Sequence, residues 1–225
     1  MNAIILAAGL GSRFQELSKI THKAMLKVRG VANIERTIIY LKKAKIDKIY
    51  IVVGHLKEQF KYLEEKYNVE LIFNEKYEEY NSIYSFFKVS NFFSDSFVID
   101  CDVVLDENIF LQKQLFSTYY CILRSAKGEW YVKLKENFIV DIDTSLSNGL
   151  ALLGVSYFCA SDCIKIKENL KKFLIPTYLL DKKMYWDNVV LDIISDLKIQ
   201  AIEVKNCYEM DNLKEYEEIL NKCKR

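Results

Sequence analysis

The chain alternates short apolar runs with stretches in which apolar residues recur every three or four positions. The first run, residues 3–8 (AIILAA), is continuous and ends in glycines, which is typical of a strand buried on both faces of a parallel sheet. Residues 33–45 bring Ile34 and Leu41 to one helical face, and residues 48–53 (KIYIVV) are a second apolar run. This order predicts a β-α-β unit near the amino terminus.

The same alternation continues along the chain. It predicts further helices over residues 57–67, 82–92, 163–173, 189–197 and 213–222, and further strands over residues 69–73, 97–100, 118–124, 130–134, 138–142, 149–158 and 199–204. Strands that alternate with helices imply a parallel sheet covered on both faces. We therefore predict an α/β fold: a Rossmann-like, mainly parallel mixed sheet flanked by helices, with a small antiparallel β extension.

Composition narrows the class of protein. With 225 residues and 51% hydrophobic content the chain can bury one sizeable core, and no repeat, linker or low-complexity tract divides it. We expect a single domain over residues 1–225. Lysine and arginine (32) nearly balance aspartate and glutamate (31), so the net charge of +1 favours neither nucleic acid nor an anionic membrane as partner. No pattern indicates an oligomeric state.

Cysteine usage and the amino terminus indicate a reducing compartment. The six cysteines include no CxxC pair, and Cys101, Cys121 and Cys159 lie in apolar, strand-like runs. We expect free thiols, with no disulfide and no zinc site. The first apolar run is shorter than a signal-peptide core, and no stretch reaches the length of a membrane span. We expect a cytoplasmic protein without membrane insertion.

The first predicted strand leads into a glycine-rich turn, residues 9–13 (GLGSR), and Lys23 follows ten residues after Arg13. A dinucleotide-binding fingerprint needs glycine where Phe14 stands, and a P-loop needs lysine inside the turn, so both patterns fail. Backbone N–H groups, a guanidinium and an ammonium together suit a polyphosphate. The alternative is a tight turn beside two solvated cations.

Residues 6–14 (LAAGLGSRF), followed by Lys23, resemble the signature of nucleotidyltransferases that join a nucleotide to a phosphorylated small molecule. The chain departs from that pattern at Glu16 and His22, where prolines are usual. Further segments resemble the bacterial CTP:phosphocholine cytidylyltransferases, and with the turn they run from residue 2 to about residue 218: YNSIYS (80–85), VIDCD (98–102), EW (129–130), YWDN (185–188) and YEMD (208–211).

The resemblance implies transfer of CMP from CTP to phosphocholine, which gives CDP-choline and pyrophosphate. A phosphate monoester is already an anionic nucleophile, so the reaction needs positioning and charge neutralisation more than a general base. Arg13 and Lys23 are implied as catalytic residues. The implied nucleotide-binding residues are Leu6, Ala7, Ala8, Gly9, Gly11, Ser12, Asn81 and Ser85. For Asn81 and Ser85 a helix-capping role is the alternative.

The acceptor pocket is expected from residues of about 115–160 and 175–190. Each of the two tryptophans stands beside an acid, and aromatic faces with carboxylates suit a quaternary ammonium group, which has no N–H donor. The resemblance implies an acceptor site of Glu129, Trp130, Tyr185, Trp186 and Asp187. The alternatives are core packing for the tryptophans and a helix N-cap for Asp187.

Magnesium is the expected cofactor, since it is commonly held by one or two carboxylates and substrate phosphates. The resemblance assigns it to Asp102, after the fourth strand, and Asp211 is the second candidate. A helix cap is the alternative for Asp211, but Asn212 followed by Glu215 predicts a capping box that leaves Asp211 free. Asp100 is interpreted as structural.

Other functions are alternatives to this one. The nearest alternative is the same transfer to 2-aminoethylphosphonate or phosphoethanolamine, and a sugar-1-phosphate nucleotidyltransferase is a more distant one. A catalytically silent nucleotide-binding regulator is the non-enzyme alternative, which the joint presence of Arg13, Lys23, Asp102 and Asp211 disfavours. The histidines at 22 and 55 stand in no triad or metal-ligand spacing, so zinc-dependent and nucleophilic hydrolysis are disfavoured.

Overall fold

A computed structural model describes residues 1–222 of the chain. The strands are β1 (Asn2–Ala7), β2 (Lys27–Val28), β3 (Val31–Ala32), β4 (Ile49–Val53), β5 (Glu70–Phe73), β6 (Ser96–Asp100), β7 (Val103–Leu105), β8 (Ser117–Arg124), β9 (Tyr131–Lys135), β10 (Phe138–Asp143), β11 (Gly149–Phe158), β12 (Ile199–Glu203) and β13 (Cys207–Glu209). The helices are α1 (Asn33–Lys43), α2 (Tyr62–Tyr67), α3 (Ser82–Val89), α4 (Ala160–Phe173), α5 (Pro176–Leu179), α6 (Asp187–Leu191) and α7 (Leu213–Lys222).

Nine of the strands form one mixed sheet in the order β5-β4-β1-β6-β11-β8-β12-β10-β9. The first four run parallel, with Ile5 of β1 opposite Ile51 and Ile99 of its neighbours. Strand β11 is antiparallel to β6 and β8, while β12 is parallel to β8. The α/β fold with an antiparallel extension is therefore confirmed, and the extension continues the main sheet beyond β6 instead of forming a separate layer.

Side-chain alternation along the buried strands supplies a core on each face of the sheet. Ala3 and Ile5 of β1 pack in one cluster with Ile34 and Ile38 of α1. Ile4 and Leu6 face the other way, into a cluster formed with α3, α4 and the segment that leads into α6. Both faces are thus covered by helices, and the carboxyl ends of β1 and β6 open between the two layers.

Two predicted helices are shorter than their sequence patterns. Residues 57–67 divide into a 3-10 turn, Lys57–Phe60, and α2, while residues 189–197 divide into the end of α6 and a second 3-10 turn, Ile194–Asp196. The structure also contains α5 and the short pairs β2–β3 and β7–β13, which the sequence did not predict. Strands of two or three residues are too short to show a hydrophobic period.

The β7–β13 pair has a direct consequence for the site. Glu209 pairs with Val103 in antiparallel register, and the Met210 N–H donates a hydrogen bond of 3.0 Å to the Asp102 carbonyl. The segment before α7 is therefore held against the end of β6. Asp102 and Asp211 are distant in sequence, and this pairing brings them to one end of the sheet.

The cysteines are buried or half-buried thiols wherever the structure describes them. Cys101, Cys121, Cys159, Cys163 and Cys207 are free, and Cys223 lies outside the described residues. Among residues 1–222 there is no helix with the length and apolar character needed to cross a bilayer.

The two tryptophans differ in burial, and their alanine variants should differ accordingly. Trp186 is 1% exposed, with ring centroids 5.3 Å from Phe86 and 6.2 Å from Phe158. Trp186→Ala should lower the free energy of unfolding by about 3–5 kcal/mol, because it leaves a cavity in the core. Trp130 is half-buried, so Trp130→Ala should cost about 1 kcal/mol. Urea unfolding measures both; equal losses would contradict this difference in packing.

Candidate active site

A cavity of about 700 Å³ lies where the carboxyl ends of β1 and β6 meet α3, the start of α6 and the end of β13. Fifteen of the predicted site residues line it: Leu6, Ala8, Gly9, Ser12, Arg13, Lys23, Asn81, Ser85, Asp102, Glu129, Trp130, Tyr185, Trp186, Asp187 and Asp211. Gly11 and Ala7 are not part of the lining, and the Ala7 side chain packs in the cluster on the α1 face.

The glycine turn is fixed by its conformation and by one buried ring. Gly11 has a φ of 62°, a left-handed conformation that glycine adopts without strain. Phe14 is 2% exposed, and its N–H donates to the Gly11 carbonyl at 2.9 Å. The aromatic residue that breaks the dinucleotide fingerprint thus anchors the turn. Arg13, next to it, keeps 61% of its side chain exposed beside the cavity.

Side-chain hydrogen bonds hold the loop that carries Lys23, where the family pattern has prolines. The His22 ring accepts a bond at Nδ1 from the Ala24 N–H (3.1 Å), and the His22 N–H donates to Gln59 Oε1 (2.9 Å). His55 Nε2 lies 2.7 Å from the Ser18 carbonyl. Burial, followed by the Lys23 charge, lowers the pKa of His22 to about 4 and keeps the ring neutral. Both histidines therefore support the loop.

Lys23 and Asp102 form the innermost ion pair of the cavity. Lys23 Nζ lies 2.5 Å from Asp102 Oδ2, and the side chains are 18% and 16% exposed. Burial would lower the pKa of Lys23, but the nearby Asp102 carboxylate outweighs it and raises that pKa, so the lysine stays charged. The Asn33 amide donates to the carbonyls of Cys101 and Val103 and so fixes the backbone around Asp102.

Arg13 and Asp211 form a second, more exposed pair, with Arg13 Nη1 2.9 Å from Asp211 Oδ2. The Asn212 half of the predicted capping box is present: the Glu215 N–H donates to Asn212 Oδ1 at 3.0 Å. Glu215 in turn accepts from the backbone N–H of Asp211 at 2.8 Å. The Asp211 carboxylate is thereby left to face the cavity. Each predicted phosphate-binding cation is thus paired with a predicted metal-binding carboxylate.

Asn81 and Ser85 lie at the cavity wall with much of their bonding capacity already used. Asn81 caps α3 by accepting from the Ile83 N–H, and its amide group donates to the carbonyls of Tyr178 and Asp181. Both N–H donors of Asn81 are therefore occupied, which argues against their pairing with a base. The Ser85 hydroxyl accepts a hydrogen bond of 2.9 Å from the Asn74 amide and donates none to the described residues.

The far end of the cavity carries an aromatic pair. The rings of Trp130 and Tyr185 meet edge to face, with centroids 6.1 Å apart and an interplanar angle of 76°. Tyr185 is 44% exposed, whereas the Trp186 ring is in the core. An aromatic cage in this structure would therefore depend on Trp130 and Tyr185, with Trp186 supporting the wall from behind. Asp187 is the first residue of α6, and Trp186 precedes it at the N-cap position, so the alternative of an N-cap does not hold for Asp187.

Carboxylates surround that aromatic pair. The Tyr119 hydroxyl donates to Asp187 Oδ1 at 2.9 Å, and burial raises the pKa of Asp187 to about 7. Arg124 bridges Glu129 and Glu209, and burial raises the pKa of Glu209 to about 8 although Arg124 opposes it.

Sequence reasoning missed Tyr119, Arg124 and Glu209. Glu209 stood in a matching segment, YEMD, but Tyr119 and Arg124 looked like ordinary strand residues.

The donor set fits a hard divalent cation that also binds substrate. Within residues 1–222 no three histidine, cysteine, aspartate or glutamate side chains converge on one point. Asp102 and Asp211 supply two carboxylates at one end of the sheet, and magnesium commonly takes its remaining ligands from phosphates and water. The two residues therefore fit an ion that binds together with a nucleotide.

Comparison with known proteins agrees with this geometry. Residues 3–120 match the family model of the MobA-like NTP transferase domain, which is more than half of the chain. The chain belongs to this family. It is a nucleotidyltransferase, and such enzymes generally use a divalent metal.

Three relatives of this transferase cover nearly all of it. A choline-phosphate cytidylyltransferase of Haemophilus influenzae is 46% identical over 99% of the chain and 97% of the relative. A 2-aminoethylphosphonate cytidylyltransferase of Lancefieldella rimae is 37% identical over 95% and 89%. A solved structure of the CTP:phosphocholine cytidylyltransferase of Streptococcus pneumoniae superposes with a TM-score of 0.93, at 38% identity over 98% and 97%. The resemblance inferred from the motifs is confirmed.

The raised pKa of Asp187 predicts a pH-dependent cost to stability. Its carboxyl binds a proton more readily in the folded chain than in the unfolded one, so it destabilises the fold increasingly as pH rises from 3.8 to about 7. Asp187→Asn keeps an acceptor for Tyr119 and removes this cost. We expect the variant to be more stable than the wild type by roughly 1–3 kcal/mol near pH 8, with the difference shrinking near pH 4.

Urea unfolding at the two pH values tests this expectation. Asp141→Asn, which changes a carboxylate that is 61% exposed, is the matched control and should alter stability little at either pH. A stability difference for Asp187→Asn that is the same at both pH values would contradict the assignment.

Proposed function

We propose that this transferase moves CMP from CTP to phosphocholine, giving CDP-choline and pyrophosphate. The observation that carries the proposal is the two-ended cavity. One end has Arg13 and Lys23 beside the glycine turn, and the other has the Trp130–Tyr185 pair among carboxylates. A nucleoside triphosphate suits the first end and a phosphate ester with a cationic head suits the second. The Haemophilus relative, by its name, acts on choline phosphate.

The reaction follows from the charges of the two substrates. An anionic phosphate oxygen of phosphocholine attacks the α-phosphorus of CTP in line. The bond from that phosphorus to the bridging oxygen breaks, and pyrophosphate leaves with the electron pair. No proton has to be removed from the nucleophile, so no general base is required. Arg13 and Lys23 neutralise negative charge on the phosphates as it shifts toward the leaving group.

Asp102 and Asp211 are the residues that would hold Mg²⁺. When bound, such an ion neutralises phosphate charge and orients the triphosphate. Lys23 and Arg13, which lie within ion-pair distance of these carboxylates, would neutralise the phosphates beside the ion. All four side chains lie at the cavity, which supports these roles.

Recognition of the cytosine base is proposed for the wall between β1 and α3. The Ser85 hydroxyl has a proton that it can donate, and Leu6 and Ala8 line the same cavity, with Ala7 between them in sequence. The Asn81 amide, whose N–H groups are engaged, would contribute by holding the start of α3. Base selection would then depend mainly on main-chain groups.

Transfer to 2-aminoethylphosphonate is the second candidate. The Lancefieldella relative carries that substrate in its name. A primary ammonium would bond directly to carboxylates such as Asp187, while a trimethylammonium gains more from the Trp130 and Tyr185 rings. The aromatic pair favours phosphocholine.

Pyrophosphate release from a grid of substrates tests the proposal. CTP, UTP, dTTP and ATP are each combined with phosphocholine, phosphoethanolamine, 2-aminoethylphosphonate and glucose 1-phosphate, with magnesium and with a chelator. We expect the highest kcat/KM for CTP with phosphocholine and no turnover with the chelator. A higher kcat/KM for 2-aminoethylphosphonate would establish the second candidate, and a preference for glucose 1-phosphate would refute both. No release with any pair would indicate a silent nucleotide-binding protein.

Removing either phosphate-binding cation should slow the chemical step. We expect Lys23→Ala and Arg13→Ala each to lower kcat by about 100-fold or more, because each removes a preorganised charge. Lys19→Ala is the control, since Lys19 lies on the same loop, is 68% exposed and pairs with Glu16. Steady-state kinetics measure the effect, and circular dichroism verifies the fold. Near-wild-type kcat in a folded variant would remove that residue from the mechanism.

A further inference from the structure

Asp100 lies on the face of the sheet that borders the cavity. Val98 packs in the cluster with α3 and α4, while Ile99 packs in the opposite cluster with α1. Successive side chains of a strand alternate between faces, so Asp100 shares the face of Val98. Tyr119 and Trp186 lie on this same face. Asp100 lines the cavity there, although the sequence analysis interpreted it as structural.

The space beside Asp100 exists because residue 154 is glycine. Strand β11 shifts register between Leu152 and Ser156, and Gly154 within that irregularity has a φ of 67°. A Cβ atom at residue 154 would lie 3.0 Å from Asp100 Oδ2 and 3.2 Å from Asp100 Cβ. Any other side chain would push the carboxylate aside. The irregularity in β11 and the glycine within it therefore leave the room that the Asp100 carboxylate occupies.

Asp100 differs from the other acids of the cavity in its partners. Asp102 has Lys23, Asp187 has the Tyr119 hydroxyl, and Glu209 has Arg124. Among the described residues, none donates a hydrogen bond to the Asp100 carboxylate or forms an ion pair with it. The charged side chains that act on it are those of Asp187, Asp102, Lys23 and Glu209.

A half-buried carboxylate without a partner costs free energy that a cationic ligand offsets. We propose that Asp100 is a specificity-determining residue, whose carboxylate faces the cationic head group of the acceptor together with that of Asp187. This inference rests on the proposed function and adds a residue to it. Asp100 then selects for positive charge alone. Trp130 and Tyr185 contact the methyl groups of a charged or a neutral head group and attract the cation in addition.

A neutral acceptor of the same shape separates those two contributions. In 3,3-dimethylbutyl phosphate a carbon atom replaces the nitrogen of phosphocholine, so the shape is kept and the positive charge is lost. We expect wild-type enzyme to prefer phosphocholine, and Asp100→Asn to reduce that preference in kcat/KM about tenfold or more. The loss should come from a higher KM for phosphocholine, with the KM for CTP and the magnesium requirement within about twofold of wild type.

Two comparisons make the test specific. Trp130→Ala should weaken both acceptors, because both lose the ring contact with their methyl groups, whereas Asp100→Asn should weaken phosphocholine alone. Asp141→Asn on the exposed surface should change neither. If Asp100→Asn does not fold, Asp100→Ser replaces it, with acceptor binding measured by calorimetry. An unchanged preference in a folded variant overturns the proposal, as does a raised magnesium requirement with unaltered acceptor KM. Failure of the proposed function would appear differently, as wild-type enzyme inactive with phosphocholine.

Discussion

The ion pair between Lys23 and Asp102 is the contact around which the nucleotide end of the site is arranged. It joins the loop after the glycine turn to the end of β6, and its charges are largely removed from water. Neither charge is tolerable alone at that depth, so each holds the other in position. Arg13 and Asp211 repeat the arrangement nearer the surface. Each of the two pairs is electrically balanced, and a triphosphate that enters with a divalent cation likewise brings charges of both signs.

The acceptor end is not balanced in this way. Four acids line the cavity there, Asp100, Asp187, Glu129 and Glu209, and Arg124 forms ion pairs with only two of them, Glu129 and Glu209. Burial gives these acids an energetic cost and raises the pKa values of Asp187 and Glu209, and neighbouring carboxylates add to the rise at Glu209. Such a cost is tolerated where a ligand removes it, and it gives the cavity a preference for positive charge before any shape is recognised. These acidic side chains therefore lower the stability of the fold while they favour a cationic ligand.

The sequence was most informative where its signals were continuous. Long apolar runs and helical periods predicted the main sheet, α1, α3, α4 and α7, and the charged motifs predicted most of the cavity lining. The predicted bond between Asn212 and Glu215 is present, and Asp211 lies at the cavity. Long-range contacts left no such signal in the sequence. The strands β7 and β13 are each only three residues long. Arg124 and Tyr119 belong to the site because Arg124 pairs with Glu209 and Tyr119 bonds to Asp187, and neither contact is visible in the sequence. The sequence left open whether Trp186 is buried, because the same aromatic motif occurs in protein cores and in binding sites.

The β7–β13 pairing also determines when the enzyme becomes competent. Residues 3–120 contain the glycine turn, Lys23 and Asp102, whereas Glu209 and Asp211 lie far beyond this range in sequence. A contact of such high sequence separation forms late, after loop closure over the whole antiparallel extension. A chain emerging from the ribosome would thus display the phosphate-binding turn without its second carboxylate. The candidate active site is therefore complete only after the segment that carries β13 has been synthesised and has paired with β7.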